Sequence, residues 1–169
     1  MRTTRWTPSY LALLAIFTVA SSPLEAQSAS DINGAWIVTS WTSPDGTVNE
    51  SAQRGVFLFA ITRDDGGSYS MMFVSGNEPR AEYAGDTLMD SEKLRAYDSF
   101  TANTGRLTVQ GNELTYEAYV AKDPNYMASF EENGATATWQ VDGSTLTLRF
   151  TSGFMDGTTA TFRRPTSGE

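Results

Sequence analysis

Residues 135–151 read ATATWQVDGSTLTLRFT, two runs of alternating apolar and polar side chains on either side of Asp142-Gly143. In the second run Leu146, Leu148 and Phe150 fall on one face, and Thr145, Thr147 and Arg149 on the other. Period-two alternation of this kind marks a strand with one buried face and one wet face, as in antiparallel sheet. The Asp-Gly pair supplies the positive φ angles of a tight hairpin turn, so the two runs pair with each other.

The same punctuation recurs along the chain at Asp45-Gly46, Asp65-Gly66-Gly67, Gly111-Asn112, Asn133-Gly134 and Asp156-Gly157. Between these turns, runs rich in β-branched and aromatic residues predict strands over 34–41, 54–62, 68–75, 100–109, 113–121, 135–141, 145–151 and 158–163. Phe57, Phe59 and Ile61 alternate with Val56, Leu58 and Ala60, leaving no polar face. That strand is expected to be covered on both sides, by the core within and by a helix or partner outside. A single short helix is predicted over 91–97, with Asp90 or Ser91 as N-cap and Glu92 where the helix dipole favours a carboxylate. Leu94 and Tyr97 lie one turn apart on it, as a plug or side cover would place them. Eight antiparallel strands with short connections form either a two-sheet sandwich or a closed barrel, and the strand count alone does not choose.

Residues 1–26 differ in composition from the rest of the chain: Arg2 and Arg5, then an apolar run from Tyr10 to Ala20, then Leu24, Glu25 and Ala26. This is the layout of a secretory signal peptide. The apolar run is about half of the roughly 20 residues a spanning helix requires. The expectation is an exported protein, periplasmic or extracellular, whose residues 27–169 form one domain with no integral membrane segment after the signal is removed.

Over the whole chain 12 basic residues face 20 acidic ones, for a net charge of −8. Arg163-Arg164 is the only adjacent basic pair after residue 26. Nucleic acid is therefore not expected as a partner, because phosphate binding needs a clustered basic face. Neither cysteine nor histidine occurs. Disulfides, thiolate nucleophiles, zinc sites with nitrogen or sulfur ligands and the usual neutral-pH general base are thereby excluded. No metal or cofactor is expected. Stability rests on packing, for which a chain of this length is sufficient.

Gly34-Ala35-Trp36 stands on the first predicted strand, and Ser40-Trp41 and the Asp45-Gly46 turn come after it. Further on come Tyr97-Asp98-Ser99-Phe100, Gly105-Arg106-Leu107-Thr108-Val109 with Gly111, the corner Pro124-Asn125-Tyr126, and the hairpin from Val141 to Leu148. In these motifs and their order the chain resembles the bacterial lipocalin-like domain family. It departs from that family at Tyr116 and Glu117, where a histidine is frequent. The resemblance implies an all-β fold: an eight-stranded antiparallel up-and-down barrel, lipocalin-like, with one short helix. It also implies that Gly34 and Trp36 close one end beneath a basic residue of the last strand, for which Arg163 is the candidate by position. These residues then close the fold and touch no ligand.

A barrel of this size holds either side chains or one small ligand. Candidate ligand-binding residues are Tyr69, Met71 and Phe73, or Met72 and Val74 in the opposite register; Tyr116 or Tyr119; Trp139; and Phe154 with Met155 near a mouth loop. Each of them also reads as ordinary core. Glu117 is the weak catalytic candidate, because a mid-strand carboxylate pointing into an apolar cavity would have a raised pKa and exchange protons. The reading favoured is an exported protein that binds a small apolar or amphipathic molecule in the barrel interior. Alternatives are a cofactor-free cyclase or isomerase using the cavity as a mould, and an envelope interaction module without a ligand. Oligomeric state is not legible.

Overall fold

The computed structural model describes residues 27–50, 55–74, 76, 78–85, 89–128 and 134–168. The predicted signal segment, residues 1–26, lies outside them, as does Asn133 of the expected Asn133-Gly134 turn. Nine strands occur in chain order: β1 (Gly34–Thr42), β2 (Val48–Glu50), β3 (Val56–Arg63), β4 (Gly66–Val74), β5 (Phe100–Gln110), β6 (Glu113–Ala121), β7 (Ala135–Asp142), β8 (Thr145–Phe150) and β9 (Thr159–Arg163). From β3 to β9 each strand pairs antiparallel with the next. β1 joins β3 on one side and β9 on the other, so the sheet closes on itself. Eight strands make the barrel. The ninth, β2, was not anticipated; it is a short rim strand paired with Ser40, Trp41 and Thr42 of β1. No helix among the described residues is long and apolar enough to cross a membrane.

Two of the three register shifts in the sheet decide which residues face inward at its upper end. In β1 the pairing with β9 shifts between Val38 and Ser40, and the Thr39 hydroxyl donates to the Thr161 carbonyl (2.9 Å). In β6 the pairing with β5 shifts after Ala118. An extra residue in a strand reverses the faces of everything beyond it. Trp36 and Val38 face inward below the first bulge, and Trp41 turns inward above it, its ring 4.8 Å from that of Phe73.

The interior is filled. Trp36, Phe57, Phe59, Met71, Tyr116 and Phe162 are almost or fully inaccessible, packed with Leu107, Leu114, Leu146 and Leu148. Phe57 and Phe162 lie 4.8 Å apart, and the Tyr69 and Tyr116 rings meet edge-on at 5.0 Å. The alternation read from β8 holds, with Leu146, Leu148 and Phe150 buried. On β3 the second apolar face is not covered by any described residue: Leu58 is 47% exposed, with Met72 of β4 at 49%. The expected outer helix is absent there because α1 (Asp90–Asp98) packs at the barrel rim instead.

A 3-10 turn at Ala29–Ile32 seals the lower end. Ile32 is fully buried, and its carbonyl accepts from the Trp36 indole (2.8 Å). The cation over the indole is Arg164, 3.8 Å from the ring centroid, not Arg163. The reason is parity: Ala160 and Phe162 are the buried positions of β9, so residue 164 continues the inner face and Arg163 points away. Arg164 also donates to the carbonyls of Asp31 (2.8 Å) and Asn33 (2.5 Å). Gly34 makes room for it. Its φ of +101° is a conformation that favours glycine, and a Cβ there would lie 3.0 Å from the guanidinium.

Candidate functional site

The register puts the starts of β5 and β7 and the ends of β4, β6 and β8 at the upper end, opposite Trp36. There the packing gives way to a cavity of about 680 Å³. This lies within the range of roughly 300–1,000 Å³ typical of small-molecule pockets. Thr101, Ala102 and Asn103 of β5 form one wall, and Ala121 and Lys122 at the end of β6 form the next. The bulge in β6 is what brings Ala121 opposite Asn103 on the inner side. Small residues on these two strands leave the space that large ones fill elsewhere.

Two short helices and a turn frame the opening. The last turn of α1 contributes Tyr97 and Asp98, and α2 (Pro124–Ala128), read from sequence only as a corner, contributes Asn125 and Tyr126. The 3-10 turn Gly153–Met155 adds Gly153 and Phe154. Tyr97 donates its hydroxyl to the Lys122 carbonyl (2.8 Å), and the Lys122 ammonium donates to the Tyr97 carbonyl (2.5 Å) and lies 4.1 Å from the Tyr97 ring centroid. The end of α1 is thereby tied to the end of β6. At its other end the helix is held by Glu92, which accepts from the Met89 and Ala84 amides (2.9 and 3.1 Å). Those hydrogen bonds stabilise the carboxylate and lower its pKa. Leu94 and Tyr97 are half exposed or more, so α1 is a rim element rather than an apolar plug.

Polar atoms beneath the cavity lack partners. The hydroxyls of Tyr69, Tyr116 and Tyr126 and Oδ1 of Asn103 are buried, and none completes a hydrogen bond with a described residue. Tyr126 stands close enough to Tyr69 and Tyr116 to influence the ionisation of both. Burial first, and the neighbouring phenol second, raise the pKa of Tyr69 and Tyr116 far above the usual phenol value. For Tyr126 burial also raises it, while the hydroxyl of Tyr69 acts in the opposite direction. All three are neutral donors at any physiological pH. The Tyr126 ring is held edge-on against Phe154 at 5.5 Å.

The residues singled out from sequence divide among several places. Tyr69, Met71, Phe73 and Tyr116 face inward in one cluster, which settles the register against Met72 and Val74. Trp139 is buried near the lower end, where its indole donates to the Gly111 carbonyl (3.2 Å). Phe154 lines the cavity mouth. Tyr119 sits at the β6 bulge on the outer surface, 61% exposed. Glu117 is also on the outer face, because its strand neighbours Tyr116 and Ala118 take the inner positions; it pairs with Arg106 directly across on β5. Glu117 therefore does not point into the cavity, as the cyclase reading required of it.

Asn103 and Tyr126 were missed. Asn103 shares the inward parity of Leu107 and Val109, so a polar residue in that series was the available signal. Tyr126 gave none, because its placement depends on α2.

No family model and no curated protein matches the chain. Among solved structures it is similar to a lipocalin-like protein from Bacteroides uniformis, at 19% identity over 80% of this chain and 99% of that one, with a TM-score of 0.48. It is also similar to a redesigned β-barrel (14% identity, 84% and 98% covered, TM-score 0.45) and to an uncharacterized protein from Bacteroides eggerthii (15%, 79% and 98%, 0.46). Strand order and closure make the fold a lipocalin-like barrel of eight antiparallel strands, carrying, among the described residues, a ninth strand at its rim and two short helices.

Proposed function

We propose that this is an exported binding protein that holds a small amphipathic molecule at the upper end of the barrel. The observation carrying this reading is the cavity itself, a space of about 680 Å³ in an otherwise filled barrel. The site that sequence reading placed in the barrel interior moves upward, because aromatic and leucine side chains occupy the middle and lower levels. Its walls mix apolar surface from Ala102, Ala121 and Phe154 with a few polar groups, the composition of sites that bury a ligand body and orient its head. Export is supported by the signal-like composition of residues 1–26.

Native mass spectrometry of the protein purified from its own host tests the reading. The expected result is a non-covalent adduct that is lost in Ala121→Trp, which fills the cavity from the inner face of β6. Only the bare protein mass, together with no thermal shift against fatty acids and isoprenoids, would overturn it.

A further inference from the structure

Resting on the export part of that reading, we propose that Gln27 is the amino-terminal residue of the mature protein and that the barrel holds its side chain back from cyclising. Cleavage after Ala26 frees the α-amine of Gln27. A terminal glutamine otherwise closes on itself: the amine nitrogen bonds to Cδ, the Cδ–Nε2 bond breaks, and ammonia leaves. A neutral lactam then replaces the charged terminus. For this the side chain must fold back until Cδ meets the amine.

Both ends of the carboxamide are engaged elsewhere. Nε2 of Gln27 donates to the Val141 carbonyl (2.7 Å), and Oε1 accepts from the Val141 amide (3.3 Å). The register explains why Val141 has both groups to offer. Trp139 donates its amide to the Asn112 carbonyl (2.9 Å), across the edge of β7 that faces β6, and on that edge the strand pairing ends with Glu113 opposite Thr138. Val141 comes two residues after Trp139, so its amide and carbonyl point the same way, past the turn at Gly111-Asn112 where β5 leads into β6. The Gln27 carboxamide meets them as a neighbouring strand would. The backbone that carries it is fixed at the next residue, where the Ser28 amide donates to the Asp31 carboxylate (2.8 Å) at the start of the 3-10 turn. Two partly buried hydrogen bonds favour the docked side chain by about tenfold or more, and cyclisation proceeds only from the undocked fraction.

Intact-mass spectrometry of protein exported by its own host tests this, first as isolated and then during days at neutral pH in phosphate, folded and in guanidinium chloride. A variant with one glycine inserted between Gln27 and Ser28 is followed beside it. The expected mass begins at Gln27 with its ammonia retained. Ammonia loss should be about tenfold slower in the folded protein than in the unfolded one, and the folded insertion variant, its glutamine out of register with Val141, should lose ammonia at the unfolded rate. A chain that begins at Gln27 but already lacks ammonia, loses it equally fast folded and unfolded, or is slowed equally in the insertion variant refutes the clamp and leaves export standing. A chain cut at another residue refutes the assigned terminus alone. One that keeps its leader overturns export and the proposal together.

Discussion

Replacing Arg164 by alanine should destabilise the barrel several times more than replacing Arg163, although the two are adjacent and chemically identical. Arg164 stacks on Trp36 with its guanidinium 3.8 Å from the ring centroid, a contact of about 1 kcal/mol between a buried indole and a partly exposed cation. It also donates to the Asp31 and Asn33 carbonyls, holding the 3-10 turn that carries Ile32 over the lower end. With a charged donor and partial solvent exposure, the two bonds contribute about 1–2 kcal/mol together. The expected total is about 2–3 kcal/mol, or roughly 6–12 °C in Tm for a domain of this size. Arg163 donates to the Arg164 carbonyl at 3.2 Å from the outer face, and its alanine variant should cost less than about 1 kcal/mol. Arg164→Lys keeps the charge but not the planar fork, so it should recover less than half of the loss. Urea unfolding of the three variants measures this directly. Equal costs at 163 and 164, or a cost at 164 below about 0.5 kcal/mol, would refute the parity argument and the role given to the cation.

Gly105→Ala should be severe, at about 3 kcal/mol or more in urea unfolding, because its Cβ would overlap the Glu117 carbonyl oxygen of the neighbouring strand. Glu117→Gln should cost under about 1 kcal/mol and leave the thermal shift with fatty acids unchanged, as suits one member of a partly exposed pair with Arg106 on the outer face; a large loss of binding would contradict its outward position. Stability should fall steeply above about pH 10. Tyr69 and Tyr116 have folded pKa values raised by burial, so the unfolded chain releases their protons first and is favoured as pH rises. Each phenol contributes about 1.4 kcal/mol per pH unit in that window, and ultraviolet titration should show these two ionising only as the protein unfolds. Two phenols titrating normally in the folded protein would show that the pocket beneath Tyr126 is wet.

The barrel was legible because its determinants are local. Each of β1 and β3 to β9 lies within two residues of a predicted run, since alternating side chains and Gly-containing turns specify a hairpin without reference to the rest of the chain. Closure rather than a sandwich came from the resemblance carried by Gly34, Trp36 and the motifs after them, and the β1 to β9 pairing agrees. What sequence pattern could not show is where the alternation breaks. No residue type announces the bulges near Thr39 and Tyr119, which arise from the geometry of bending a sheet until its edges meet. One turns Trp41 inward; the other sends Tyr119 to the surface and Ala121 to the cavity. A strict alternation carried through β6 would have put Ala121 outside with Tyr119 and Glu117.

The same bulge explains why space remains at one end only. Along the inner face of β5 and β6 the lower positions are Leu107, Val109, Leu114 and Tyr116, while the upper ones are Asn103, Gly105, Ala118 and Ala121. Large residues are replaced by small ones at the level where the Tyr69 ring meets Tyr116, and above that level no inward side chain on these strands is long enough to reach across. The cavity therefore results from a size gradient along two paired strands. Beneath it Tyr69 and Tyr116 end the packed region, their hydroxyls buried. Filling the space with larger apolar residues would stabilise the core by burying more surface. The chain instead leaves Oδ1 of Asn103 and three phenol hydroxyls at that level without hydrogen-bond partners among the described residues.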